Sequence, residues 1–150
     1  MKIQTNSSED TLALGRKMGK NLLNSKPKTR IFFLYGELGA GKTCLTKGIA
    51  SSLGIKDNIK SPTFTILSKY EISDSKCTFN NLYHWDFYRI NTEVELLDLG
   101  IEELLADENL LHIVEWPEIL QENISTEDYK NEICKIYFKI ENDTRIISIK

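Results

Sequence analysis

No apolar run in this chain approaches the roughly 20 residues that cross a bilayer, and residues 1–10 are too polar for a secretory signal. A membrane-embedded or exported protein is therefore not expected. Cysteine is scarce. The three present, Cys44, Cys77 and Cys134, are odd in number and far apart. They fit neither a disulfide framework nor zinc-ligand spacing, which points to a reducing, cytoplasmic setting. Positive charge is also in deficit. A net charge of -3 excludes a general nucleic-acid surface, because such a surface needs a basic patch to release counterions, so any RNA connection is indirect or local. Arginine is rarer still, with Arg16, Arg30, Arg89 and Arg145 beside 15 lysines. What remains is an ordinary globular composition, 41% hydrophobic and 27% charged over 150 residues. It suits one domain spanning residues 1–150, long enough to bury a real core.

One octapeptide narrows the class. Gly36-Glu37-Leu38-Gly39-Ala40-Gly41-Lys42-Thr43 fits G-x-x-x-x-G-K-[ST], with an apolar run before it and a helix-like stretch over residues 43–53 after it. Glycines 36, 39 and 41 let successive backbone N–H groups turn inward toward phosphate oxygens. The following helix adds free N–H groups and the positive end of its dipole. Lys42 supplies a cation for the β- and γ-phosphates, and the Thr43 hydroxyl is placed for Mg²⁺. The bland reading, a glycine-rich turn with a chance Lys-Thr, does not explain the strand before and the helix after. A bound nucleoside triphosphate is expected, with Cys44 packing the helix next to the loop.

The surrounding pattern is α/β. Ser7-Ser8-Glu9-Asp10 reads as the cap of a helix carrying Leu12, Leu14, Met18, Leu22 and Leu23, ended by Lys26-Pro27-Lys28. Residues 31–35 are apolar without alternation, as a strand buried on both faces should be. Residues 65–71 and 78–87 read as strands about a turn at 73–76. Short helical pieces at 93–97 and 101–105 break at Gly100. A second buried strand, 110–114, ends before Pro117, which disfavours further pairing. Residues 122–131 read as a mobile polar loop, and 133–140 with 144–149 as a hairpin turning at Glu141-Asn142-Asp143. The sum is a three-layer P-loop nucleoside triphosphate hydrolase fold with a mixed sheet and added antiparallel strands.

A phosphate cradle does not hydrolyse anything alone; metal and water need carboxylates from neighbouring strands. Two acids close strand-like runs, where ligand sites of open α/β sheets lie. Glu115 ends 110–114 in the manner of a Walker B acid delivered to Mg²⁺. Asp86 ends 82–85 and is suited either to hold the metal through water or to position the nucleophile. The competing reading for each is a surface carboxylate at a strand end. Glu118 reads as solvated.

Four ordered motifs together resemble the TsaE family, small bacterial ATPases of tRNA threonylcarbamoyladenosine biosynthesis. The family's G-[DE]-L-G-A-G-K-T loop falls at residues 36–43 and its S-P-T-[FY] segment at Ser61-Pro62-Thr63-Phe64. Its H-x-D-x-Y-R segment falls at His84-Trp85-Asp86-Phe87-Tyr88-Arg89, and its E-W-P-[EQ] segment at Glu115-Trp116-Pro117-Glu118. The resemblance implies Mg-ATP binding, with Lys42, Thr63 and Asp86 in catalysis and Thr43 with Glu115 on the metal. It implies that Ser61, Pro62, Phe64, His84, Tyr88, Arg89 and Trp116 serve as switch or partner residues, Pro62 holding its segment extended. Trp116 as a bare residue is equally a core residue. Ser8 and the turn at Asp143 would flank the adenine. The implied partners are a TsaD-like threonylcarbamoyl transferase and its TsaB-like paralogue, with tRNA reached only through them. Two other readings compete: a small metabolite kinase, and a binding switch with negligible turnover. The kinase reading asks for an arginine-rich lid, and only Arg89 stands in a plausible place for one.

Overall fold

The computed structural model describes residues 1–23 and 27–150. Its spine is a seven-stranded sheet in the order β1-β7-β6-β2-β5-β4-β3. The strands are β1 (Lys2–Thr5), β2 (Ile31–Tyr35), β3 (Leu67–Glu71), β4 (Asn81–Asp86), β5 (Leu110–Glu115), β6 (Ile133–Glu141) and β7 (Thr144–Ile149). β6, β2, β5 and β4 run parallel, while β1 and β7 at one edge and β3 at the other are antiparallel additions. The expected mixed sheet is the one observed.

Helices cover both faces, and the sequence of β2 shows why. Phe32 and Leu34 join the core beneath α1 (Ser8–Asn21) and α2 (Lys42–Ser52), with Leu45, Ile49 and Leu53. Ile31 and Phe33 point the other way, toward α3 (Glu93–Leu97), α4 (Ile101–Ala106) and α5 (Glu118–Asn123), with Leu96, Ile101, Leu105 and Leu120. A strand with two buried faces has no polar side to alternate with.

α1 begins at N-cap Ser7, whose hydroxyl accepts from the Asp10 N–H. It lies so close to α2 that a Cβ on Gly15 would sit 2.3 Å from the Leu45 carbonyl oxygen, and one on Gly48 would sit 2.2 Å from that of Leu12. The β6–β7 hairpin turns through Asn142 (φ 47°) and Asp143 (φ 62°), the two left-handed residues of a type I′ connection.

Several expectations are corrected. α1 ends at Asn21, before the expected stop, of which Lys26 lies outside the described residues. Residues 122–131 are not an open loop: α5 begins straight after Pro117, buries Leu120, and is followed by a 3₁₀ turn over Glu127–Tyr129. The apolar Ile119-Leu120 pair supplies the face that the charged tail of the segment conceals. The strand expected at 65–71 starts only at Leu67, because residues 63–65 turn and Ile66, at φ 66°, donates to the Pro62 carbonyl at 2.6 Å. Pro62 therefore enters a turn rather than an extended segment. Strand β1 went unforeseen; its polar residues pair only at the sheet edge, Thr5 opposite Arg145.

Candidate nucleotide site

The glycine-rich loop leaves β2 at the carboxyl ends of the parallel strands, between neighbours β5 and β6. Gly36, at φ 144°, passes so near β6 that a Cβ would lie 2.8 Å from the Phe138 carbonyl oxygen. Gly41, at φ 105°, caps α2 without a side-chain hydrogen bond. Lys42 is buried, and its ammonium donates to the carbonyls of Gly36 at 2.6 Å and Glu37 at 2.9 Å. The same ammonium lies 4.2 Å from the centroid of the Trp116 ring. Burial pulls the Lys42 pKa down, and the charges of Glu115, Asp86 and Glu118 push it back up. The lysine thus folds back onto the carbonyls of its own loop, a position a phosphate would contest.

The two acids meet at adjacent strand ends. Asp86 and Glu115 are register partners at the ends of β4 and β5, and each is only 3% exposed. Glu115 Oε1 accepts from Thr43 Oγ1 at 2.9 Å and from His84 Nε2 at 2.9 Å. Asp86 Oδ2 accepts from Ser61 Oγ at 2.6 Å and from Thr63 Oγ1 at 3.0 Å, while its Oδ1 accepts from the Tyr88 N–H at 2.9 Å. One acid is tied to the loop and the other to the 61–64 segment. Neither is a plain surface carboxylate. Among the described residues no three His, Cys, Asp or Glu side chains gather as a ready-made metal site. One hydroxyl and one buried carboxylate instead make a hard-oxygen donor set of the kind that suits Mg²⁺, which takes its other ligands from phosphates and water.

The rim is apolar and open. Leu38 is 63% exposed, Phe64 82% and Tyr88 48%. The Arg89 guanidinium stacks 4.2 Å from the Phe64 ring centroid, and the Tyr88 ring lies 5.0 Å from that of Trp116. Trp116, at φ 58° and half-buried, packs against the core on the α5 side and also walls the site beside Lys42. A cavity of about 330 Å³ opens beside it, lined by Phe87, Tyr88, Ile90, Glu118 and Ile119. Glu118 is exposed, as expected. A larger hollow of about 730 Å³ near Arg30 and Asn109 touches none of the expected site residues, and the Arg30 guanidinium there is engaged by the Leu105 and Asp107 carbonyls.

On the other flank Cys44 Sγ donates to the Ser8 carbonyl at 3.1 Å, tying the first turn of α1 to the loop helix. Asp143 stands exposed in the hairpin turn. Sequence reasoning passed over Arg145. Its Cδ and Nε would lie 3.4 Å from a Cβ on Gly41, so a second arginine besides Arg89 stands at the site. Its place follows from the pairing of β7 with both β6 and β1. His84, expected at a switch or partner surface, is instead wholly buried behind Glu115.

A strand–glycine loop–helix unit, with its threonine bonded to an acid at the end of the neighbouring parallel strand, places the chain in the P-loop class of α/β proteins. Its sequence is more specific. Residues 5–147 match the family described as threonylcarbamoyl adenosine biosynthesis protein TsaE. The chain is 35% identical to the TsaE protein of Rickettsia typhi over 147 residues, covering 97% of this chain and 91% of that one. It is also 35% identical to the Haemophilus influenzae TsaE protein, covering 71% of this chain and 65% of that one. The crystal structure of Bacillus subtilis YdiB superposes with a TM-score of 0.72 at 30% identity, covering 99% of this chain and 83% of that one. The chain belongs to the TsaE family. No helix among the described residues is long and apolar enough to cross a membrane.

Proposed function

We propose that this chain is a Mg-dependent ATP-binding and weakly ATP-hydrolysing subunit, supporting threonylcarbamoylation of tRNA adenosine by acting on a partner transferase complex. The observation that carries the reading is the 2.9 Å bond from Thr43 Oγ1 to Glu115 Oε1, which joins the glycine loop to the adjacent strand end. The relatives' names supply the pathway, and the chemistry of the donors supplies the cofactor.

In this reading the backbone N–H groups of residues 36–43 wrap the phosphates, and Lys42 leaves the carbonyls of Gly36 and Glu37 for the β- and γ-oxygens. Thr43 and Glu115 hold Mg²⁺, which neutralises the phosphate charge when bound. Asp86, steadied by Ser61, Thr63 and the Tyr88 N–H, orients the attacking water. Arg89 is stacked on Phe64 at the surface, so the isolated chain turns over slowly. A nucleotide shifts a conformational equilibrium only through contacts that differ between two states. The γ-phosphate offers them at Thr63, whose hydroxyl bonds Asp86. The 61–64 segment and the Trp116–Pro117 turn then carry the change to the TsaD-like transferase and its TsaB-like paralogue, and tRNA is met only through them.

Size-exclusion chromatography of the mixed proteins with ATP, with ADP and without nucleotide, paired with turnover measurements, tests the reading. ATP-sensitive co-elution and partner-stimulated hydrolysis are expected. Identical elution in all three conditions, with turnover indifferent to the partners, rejects it.

A further inference from the structure

The two histidines of the chain sit in one sheet and are used differently. His112, on β5, is a saturated structural residue. Its Nδ1 accepts from Trp85 Nε1 at 3.2 Å, and its Nε2 stands 3.1 Å from the Leu104 carbonyl oxygen. His84, on β4, is equally buried, yet only one of its nitrogens has a partner. Nε2 lies 2.9 Å from Glu115 Oε1, and Nδ1 is buried without a hydrogen bond among the described residues.

Register explains how His84 reaches the acid. Residue 84 is opposite Ile113, and Asp86 is opposite Glu115. Side chains two apart on a strand share a face, so His84, Asp86, Ile113 and Glu115 all project on the α2 side of the sheet. A carboxylate oxygen can only accept, so the bond requires the proton on Nε2. The same Oε1 receives Thr43 Oγ1. Two donors from two elements converge on one oxygen of a carboxylate that is 3% exposed, which fixes its rotamer. Among the described residues no side-chain hydrogen bond engages Oε2.

A histidine kept only for packing would be cheaper as an apolar residue, since a buried unpartnered ring nitrogen costs free energy. We infer that His84 is a positioning residue for Glu115: its Nε2–H holds Oε1 so that the rest of the carboxylate faces the cation that Thr43 and the nucleotide phosphates share. This deepens the proposed Mg-ATP reading and rests on it. Partners of this kind, behind a metal-binding carboxylate, are typically worth about 10–100-fold in metal affinity.

The test exploits the two nitrogens. A glutamine at 84 carries its amide N–H₂ near the position of Nε2, whereas an asparagine carries it near the position of Nδ1. Affinity for ATP is measured by calorimetry with Mg²⁺ and with a chelator for the wild-type chain, His84→Gln and His84→Asn. Mn²⁺ affinity of the ATP complex is measured by electron paramagnetic resonance as a second readout. The gain in ATP affinity on adding Mg²⁺ should fall at least tenfold in His84→Asn and be largely restored in His84→Gln, with metal-free affinity equal in both. The variants are alike in polarity and close in size, so a shared folding defect leaves their difference readable. Equal Mg²⁺ and Mn²⁺ responses in the two variants overturn the inference. A wild-type chain that binds ATP no better with Mg²⁺ overturns instead the reading on which it rests.

Discussion

Replacing Glu115 with glutamine removes one charge and almost nothing else, which makes it the cleanest probe of the site. The carboxylate is 3% exposed and Oε1 receives two donors, from Thr43 and His84. A glutamine carbonyl can accept both. Each bond changes from charge-assisted to neutral, a loss of about 1 kcal/mol apiece, while the relief of burying a charge offsets part of it. Stability should therefore fall by no more than about 2 kcal/mol, a drop of roughly 4–8 °C in Tm for a chain of this size. Metal binding has no such compensation, because a neutral amide is a poor partner for a hard divalent cation. Mg²⁺ affinity in the nucleotide complex should drop about 10–100-fold. Calorimetric titration of ATP with Mg²⁺ and with a chelator separates the two effects. The Mg²⁺-dependent part of the affinity should shrink while the metal-free part stays within about twofold. An equal loss in both conditions would refute the assignment and make Glu115 a structural acid that merely anchors Thr43.

Lys42→Ala removes the ammonium now held by Gly36 and Glu37, and ATP affinity by calorimetry should fall roughly ten- to a hundredfold, about 1.5–3 kcal/mol; unchanged affinity rejects the role of the cation. Gly48→Ala drives a methyl to 2.2 Å from the Leu12 carbonyl oxygen and 2.8 Å from the Gly15 Cα, backbone atoms that cannot swing aside. Overpacking should outweigh the gain in helix propensity and cost about 1–3 kcal/mol in denaturant unfolding, and a variant as stable as the wild type would show that α1 and α2 can separate. Burial and the Arg30 charge push the His112 pKa down to about 4 from 6.5, so the unfolded chain binds the extra proton first. Stability should fall as pH drops from about 6.5 to 4, by about 3 kcal/mol from this group, and a flat profile there would contradict its burial as a neutral ring.

How much of this was legible before the fold was known depends on how local each feature is. The glycine loop, Lys42 and Thr43 form one contiguous octapeptide whose spacing is set by phosphate geometry, so the sequence displays it whole. Glu115 and Asp86 were visible because each closes an apolar run, and a parallel sheet delivers strand ends to one edge. That they would be register partners could be hoped for but not read, since the alignment of β4 with β5 depends on the connection 87–109 with its two short helices rather than on either strand. The same reason hid the partner of His84, because facing Glu115 is a property of the register and not of the H-x-D spacing. Helix α5 was missed for a different cause. Four of its six residues are polar, and only Ile119 and Leu120 carry its apolar face, too few for a period to show. Arg145 was hidden most deeply. Its place beside Gly41 requires the hairpin to turn through Asn142 and Asp143 and strand β1 to pair along β7, so that Thr5 and the start of α1 close on the loop from the other side. Contacts between elements far apart in sequence carry no local pattern, and those contacts are the ones that aim His84 at Glu115 and Arg145 at a loop the sequence already announced.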